Sequence, residues 1–291
     1  MFIWPDCIPC TAKMALETGR TLTQDVSQLR ALVEKVLALN SMKGGRWNLT
    51  APDLVEEVWS VLCEFAGNND PLKDIKADQN KKALELAPYA LKAVAQSDNP
   101  FLEAVKFAIT GNQLDVMLDT KTGLKKEGAS EAPMLDVSIS NTDELEKRIK
   151  KAHKIIYLTD NSGEIIFDRI LMEQIRTISP AELILVARTL PILNDVTASE
   201  AQSLGLGDVA KIMENGIQEP LAGTTLSKAS KEIQNLVREA NVIIAKGVGN
   251  LDTMTEEESF WGKTFFLFHG KCRPSCSVQG APLGSLVVHR F

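Results

Sequence analysis

Apolar residues change their rhythm near the middle of the chain, and the change predicts two kinds of structure. In the first hundred or so residues they recur at three- and four-residue steps, the spacing of a helix face. Val26, Leu29, Leu32, Val33, Val36 and Leu37 mark one such face. Leu54, Val55, Val58, Trp59, Leu62 and Phe65 mark a second, with Thr50 placed as its cap and Gly67 as its stop. Asp70-Pro71 opens a third helix carrying Leu84, Leu91 and Val94. Asn99-Pro100 opens a fourth, with Leu102, Val105 and Ile109, ending at Gly111. The stretch from Thr120 to Ser140 is polar and reads as an exposed excursion, or as a short strand pair over Met134 to Ile139.

From Lys154 onward, short apolar runs alternate with helical patterns. The runs are Ile155 to Leu158, Leu183 to Val186, Val242 to Ala245, Phe265 to Phe268 and Leu286 to Val288. Helices are expected around Ile165 to Ile175 and from about Leu226 to Glu239. Continuous apolar strands between helices imply a largely parallel sheet covered on both faces. The expected fold class is α/β: a Rossmann-like three-layer α/β/α sheet domain over 111–291, with an N-terminal helical bundle over 1–110 packed against it as one unit.

Composition narrows the function. Apolar residues make up 44% of the 291, enough for a core, and the formal net charge is -6. Such a surface repels a polyanion, so neither nucleic acid nor an anionic membrane is an expected partner. No apolar run approaches a membrane span, the N-terminus carries no signal-peptide pattern, and five cysteines suit a reducing compartment. The expected location is the cytoplasm.

In open α/β sheets, ligands bind beyond the carboxyl ends of the strands, so the polar residues there carry the chemistry. The first strand ends in Thr159-Asp160-Asn161-Ser162-Gly163-Glu164. Asp160 and Asn161 offer hard oxygen ligands, and the amides of Ser162 and Gly163, where the next helix begins, would suit a phosphate. The same residues would also make an ordinary capped turn. The second strand leads through Arg188 to Asn194-Asp195-Val196-Thr197. Asp195 could complete an oxygen-rich site for Mg2+ or Mn2+, and Arg188 could pair with a phosphate. Alternatively these residues cap a helix, since Thr197-x-x-Glu200 matches a capping box. The third strand ends in Lys246-Gly247-Val248-Gly249-Asn250, where a lysine and a glycine loop could hold an anion or form a plain loop. A fourth candidate is Thr110-Gly111-Asn112, which would put Asn112 into the cleft between the helical part and the sheet, or simply end a helix.

Taken together, these segments resemble the damage-control phosphatase family. The likeness is carried by Asp160 to Glu164, Arg188 to Pro191, Asn194 to Thr197, Asn215-Gly216 and Ala245 to Asn250. Gly111-Asn112 with Asp115, Asp70-Pro71 with Lys76 and Asn80, and an N-terminal Cys7-Ile8-Pro9-Cys10 of the prokaryotic branch also fit. The resemblance spans nearly the whole chain in order. It implies a divalent metal (Mn2+, Mg2+, Co2+ or Ni2+) on Asp160, Asn161 and Asp195. It also implies hydrolysis of phosphate monoesters of small, damaged or unwanted metabolites such as sugar phosphates, with Lys246, the glycine loop and Asn112 near the phosphate. The Lys271-Cys272-Arg273-Pro274 segment departs from the family's Lys-Cys-Pro ending by inserted residues.

On this reading Asp160, Glu164 and Lys246 are the catalytic candidates, with Glu164 orienting a water or the metal shell. The substrate-binding candidates are Asn112, Ser162, Gly163, Arg188, Gly247, Gly249 and Asn250. Direct attack by water and an aspartyl-phosphate on Asp160 both remain open. Two rivals are a metal-bound, phosphometabolite-recognising module without turnover, and an S-adenosylmethionine-dependent methyltransferase. The latter lacks a glycine-rich loop after its first strand. Cys7, Cys10, Cys272 and Cys276 could together hold a thiolate metal, but their spacing is loose and ordinary reduced thiols are expected.

Overall fold

The computed structural model describes residues 1–111 and 137–291. Asn112 and Asp115 lie outside the described residues, as do the first residues of the strand pair expected from Met134.

Three of the helical predictions start where local chemistry dictates, and a helix that the sequence pattern did not anticipate precedes them. Helix α1 spans Cys7–Leu22, and α2 spans Val26–Ala38 behind an Asp25 side chain that accepts from the Ser27 and Gln28 amides. Helix α3, Ala51–Ala66, has a full capping box between Thr50 and Asp53, and stops where Gly67 turns left-handed. These three helices share a core of their own around Leu32, Leu54, Val58, Trp59 and Leu62. Helix α5, Pro100–Thr110, is capped by Asn99.

Helix α4, Lys73–Gln96, corrects an expectation. Leu84 and Leu91 face solvent, at 52% and 45% exposure, and the packed face is Ala83, Ala90 and Val94. Small residues let α4 lie close against a neighbouring helix, so the face is set by Ala rather than by Leu. Helix α5 does end at Gly111, which caps it without a left-handed turn, at φ -51°. A side chain there would press within 2.8 Å of Phe167.

Among the described residues the sheet has seven strands: β1 (Val137–Ser140), β2 (Lys154–Leu158), β3 (Glu182–Ala187), β4 (Lys211–Glu214), β5 (Val242–Lys246), β6 (Thr264–His269) and β7 (Leu286–Arg290). Their order is β1-β7-β6-β5-β2-β3-β4. All pairings are parallel except β6 with β7. The remaining helices are α6 (Thr142–Ile149), α7 (Glu164–Ile178), α8 (Ala198–Ser203), α9 (Lys231–Glu239), α10 (Gly247–Met254) and α11 (Arg273–Gln279). Helix α9 starts later than its apolar pattern, because the Ser230 side chain caps it through the Ile233 amide.

Alternate residues of each central strand enter opposite cores. Ile155, Tyr157, Leu183, Leu185 and Ile244 pack under α4, α5 and α7. Ile156, Leu158, Ile184, Val186 and Ile243 pack against α9 and α10. This is the three-layer α/β arrangement expected from the strand pattern. The boundary anticipated at residue 110 falls within one continuous core: Phe107, Ala108 and Ile109 of α5 join Phe167 and Leu171 of α7. The chain runs from β2 outward through β3 to β4, then returns to β5 on the other side of β2. The crevice between the carboxyl ends of β2 and β5 is therefore the topological switch point, where such sheets bind ligands.

Candidate active site

Asp160 lies just past the end of β2, after Thr159, and Gly247 follows β5 directly, so the two residues flank that switch point. A cleft of about 250 Å³ opens there between the sheet and helices α1 and α3. Asp160, Asn161, Asn194, Asp195, Val248 and Gly249 line its sheet side, and Met14, Ala51, Pro52 and Val55 line the helical side.

Backbone pairing brings the candidate ligands together. Asn161 and Asp195 form an isolated antiparallel bridge. The Ser162 amide donates to Asn194 O at 2.8 Å, and the Val196 amide donates to Asp160 O at 2.9 Å. Two loops from neighbouring strands are thereby sewn into one cleft wall. Asn161 Nδ2 donates to Asp160 Oδ2 at 2.9 Å and to Glu164 Oε2 at 3.4 Å, which turns its amide nitrogen toward the carboxylates. Burial, with the carboxylates of Glu164 and Asp195 nearby, raises the Asp160 pKa well above the ordinary range. Crowded carboxylates of this kind favour a cation. Among the described residues no three His, Cys, Asp or Glu side chains are grouped to hold a metal ion. The candidate donor set is therefore mixed, two carboxylates and an amide, and all its donors are hard oxygens of the type that suits Mg2+ or Mn2+.

The model of the damage-control phosphatase ARMT1-like domain matches residues 3–287. The chain belongs to this family. It is 32% identical over 288 residues to the damage-control phosphatase PH1575 of Pyrococcus horikoshii, covering 98% of this chain and 96% of that one. It is 27% identical over 294 residues to a damage-control phosphatase of Archaeoglobus fulgidus, covering 99% of each. The crystal structure of the DUF89 family protein PH1575 superposes with a TM-score of 0.86 at 30% identity, covering 100% of this chain and 99% of that one.

In this ARMT1-like domain several residues expected to touch phosphate lie behind the cleft wall. Lys246 is fully buried and pairs with Glu164, with Asp168 Oδ1 at 2.7 Å and with Ala108 O at 2.8 Å. Burial alone would lower its pKa, but Asp168 and Glu164 outweigh that and raise it. Asp168 in turn is pushed up to about 7, chiefly by burial, and accepts from Tyr157 Oη at 2.7 Å. Arg188 pairs with Asp195 Oδ2 at 2.8 Å and donates to Gly223 O at 2.8 Å, while its buried Nη2 has no hydrogen-bond partner among the described residues. Asn250 is also buried, and its Nδ2 donates to Thr159 O and Lys246 O.

The Ser162 and Gly163 amides are not free for a ligand either. The first is taken by Asn194 O and the second by Asn80 Oδ1 at 2.6 Å. The glycine segment after β5 is not a loop. Gly247, at φ 77°, turns the chain straight from the strand into α10. Thr197-x-x-Glu200 does form a capping box, so Thr197 serves α8 while Asp195 faces the cleft.

Some cleft residues carry no signal in the sequence. Lys13 on α1 and Asp252 on α10 line the opening, together with Lys271 before α11, which the sequence marks only as part of its family-like ending. Lys13 lies on an unrecognised helix, and only contact across the fold reveals it. Cys7, Cys10 and Cys272 share one wall despite their separation in sequence. Burial pushes the Cys7 thiol up to about 11 and also raises Cys10 and Cys272, with Cys272 adding to the rise at Cys7 and Cys10, and Asp252 and Asp6 adding to it at Cys272. All five cysteines are free thiols. Among the described residues no helix is long and apolar enough to cross a membrane.

Proposed function

We propose that this chain is a divalent-metal-dependent phosphatase that hydrolyses phosphate monoesters of small metabolites, sugar phosphates among them. The observation that carries the reading is the meeting of Asp160, Asn161 and Asp195 on one wall of the cleft at the switch point. The names of the similar archaeal proteins support the phosphatase class.

Asp160, Asn161 and Asp195 would hold the metal. When bound, the metal would neutralise phosphoryl charge and lower the pKa of a coordinated water. The remaining roles belong to side chains. Arg188 holds Asp195 from behind, and Glu164 and Lys246 hold the Asp160–Asn161 pair from below. Lys13 and Lys271 are cationic side chains that line the cleft, and they take the phosphate-facing role in place of Arg188 and Lys246, which do not line it. The apolar helical wall of Met14, Pro52 and Val55 restricts bulk water on the opposite side.

Phosphate release from p-nitrophenyl phosphate and a panel of sugar phosphates, after EDTA and with each of Mn2+, Mg2+, Co2+ and Ni2+ restored, tests this function. Metal-restored turnover that Asp160→Ala abolishes is the expected result. Metal binding without turnover on any substrate would make the protein a binding module instead.

A further inference from the structure

The metal reading leaves a mechanical question. Asp160 and Asn161 come from the loop after β2, and Asp195 comes from the loop after β3. The loops are joined to each other by the 161–195 bridge, but a cation pulled between them would still rotate both unless something outside the sheet fixed them.

One helical turn of α4 contacts both loops. Lys76, Gln79 and Asn80 stand at positions i, i+3 and i+4, which places them on one face. All three are under a tenth exposed. Asn80 Oδ1 accepts the Gly163 amide at 2.6 Å. Gln79 Oε1 accepts from Asn194 Nδ2 at 3.4 Å. Lys76 Nζ pairs with Glu200 Oε1 at 2.7 Å and with Asp70 Oδ2 at 2.9 Å. Glu200 is the residue that closes the Thr197 capping box, two positions beyond Asp195. The polar turn thus reaches the segment just after Asn161, the residue just before Asp195 and the helix just after it.

We propose that Asn80 is a positioning residue for the metal ligands, a role that rests on the metal reading above. Gly163 has φ 78° and ψ -54°, a conformation open to glycine, and it is the pivot on which α7 leaves the Asp160–Asn161 loop. A buried amide at such a pivot needs an acceptor, and Asn80 supplies it. Without that acceptor the pivot rotates, and Asn161, two residues earlier, loses its fixed direction toward the cleft. Partners of this outer kind set the affinity of a metal site without touching the ion.

The test titrates Mn2+ by calorimetry into the metal-stripped full-length wild type, Asn80→Ala, Asn80→Asp and Val94→Ala. Val94 is buried on the same helix, about four turns away from Asn80, and serves as the purely structural control. Asn80→Ala is expected to weaken Mn2+ by about tenfold, the low end of the range for outer-shell partners. Asn80→Asp, which keeps an oxygen acceptor, is expected to bind close to wild type. Val94→Ala is expected to lower the melting temperature while leaving Mn2+ affinity unchanged. In the metal-free protein, the Gly163 amide should exchange with solvent faster in Asn80→Ala than in Val94→Ala. Unchanged Mn2+ affinity in Asn80→Ala, or an equal loss in Val94→Ala, overturns the positioning role alone. Absence of Mn2+ binding by the wild type overturns the metal reading and the positioning role with it.

Discussion

Gly247 lies directly beneath the carboxylate of Asp160, so close that a Cβ on Gly247 would collide with Asp160 Oδ2. The glycine is also at φ 77°, where an L side chain is strained. Two residues from strands on either side of the switch point are therefore held at a separation that only glycine permits. Gly247→Ala should displace Asp160 and abolish both Mn2+ binding and turnover. Gly262→Ala is the control: its φ is 75°, but nothing stands within 4 Å of the added methyl. That variant should lose only about 1 kcal/mol of stability, the cost of a left-handed side chain, and keep its activity. Calorimetric Mn2+ titration and a melting curve on each variant separate collision from backbone strain.

The Arg188–Asp195 ion pair separates two ways of removing a ligand. Both partners are nearly buried, at 3% and 4% side-chain exposure. Asp195→Ala would leave the guanidinium uncompensated, at a cost of about 3–5 kcal/mol in stability. Asp195→Asn keeps a neutral acceptor for Arg188 and should fold close to wild type while binding Mn2+ far more weakly. Urea unfolding of the two variants, set beside their Mn2+ affinities, distinguishes a lost ligand from a lost core. Wild-type turnover in Asp195→Asn would remove Asp195 from the site.

The fold and the metal-candidate residues were legible for the same reason: both are written in contiguous sequence. Ile155 to Leu158 and Val242 to Ala245 are unbroken apolar runs, and the polar residues that end them stand at the sheet's ligand-binding edge. Strand β4 was not legible, because Lys211–Glu214 is half-exposed and presents no apolar run. The burial of Lys246 and Arg188 behind the cleft wall was not legible, because a charged residue after a strand reads alike whether it points into the cleft or behind it. Only the positions of Glu164, Asp168 and Asp195 decide that. Lys13, Asp252 and the meeting of Cys7 with Cys272 depend on contacts between distant segments, which no local pattern encodes.

Lys246 now has a prediction different from that of a phosphate-binding lysine. It neutralises Glu164 and Asp168 in a fully buried site. Lys246→Met should therefore destabilise the fold by about 3–5 kcal/mol, as breaking a buried pair does. The loss should be greater at pH 8 than at pH 5.5. Without the ammonium the Asp168 carboxyl, already pushed up to about 7 by burial, titrates higher still, so acid neutralises it in the folded state and returns part of the stability. Urea titrations at the two pH values check this. A variant with wild-type stability at both pH values and a raised KM alone would restore Lys246 to the phosphate.

Asp252 provides a pH dependence that does not involve the metal candidates. It is 4% exposed, its Oδ1 has no hydrogen-bond partner among the described residues, and burial pushes its pKa up to about 7. In the unfolded chain the carboxyl titrates near its ordinary value of 3.8. Between those two values the folded state holds a proton that the unfolded state has lost. Stability contributed by this group therefore falls as pH rises from about 4 to about 7, and stays low above that. Asp252→Asn removes the penalty. It should match wild type near pH 4 and exceed it by about 1–3 kcal/mol at pH 8, the upper figure being most of a three-unit shift. Paired urea titrations across that range measure the difference. A constant offset between variant and wild type at all pH values would show that Asp252 is ionised in the folded protein throughout, held so by the N-terminal ammonium that already lowers its pKa.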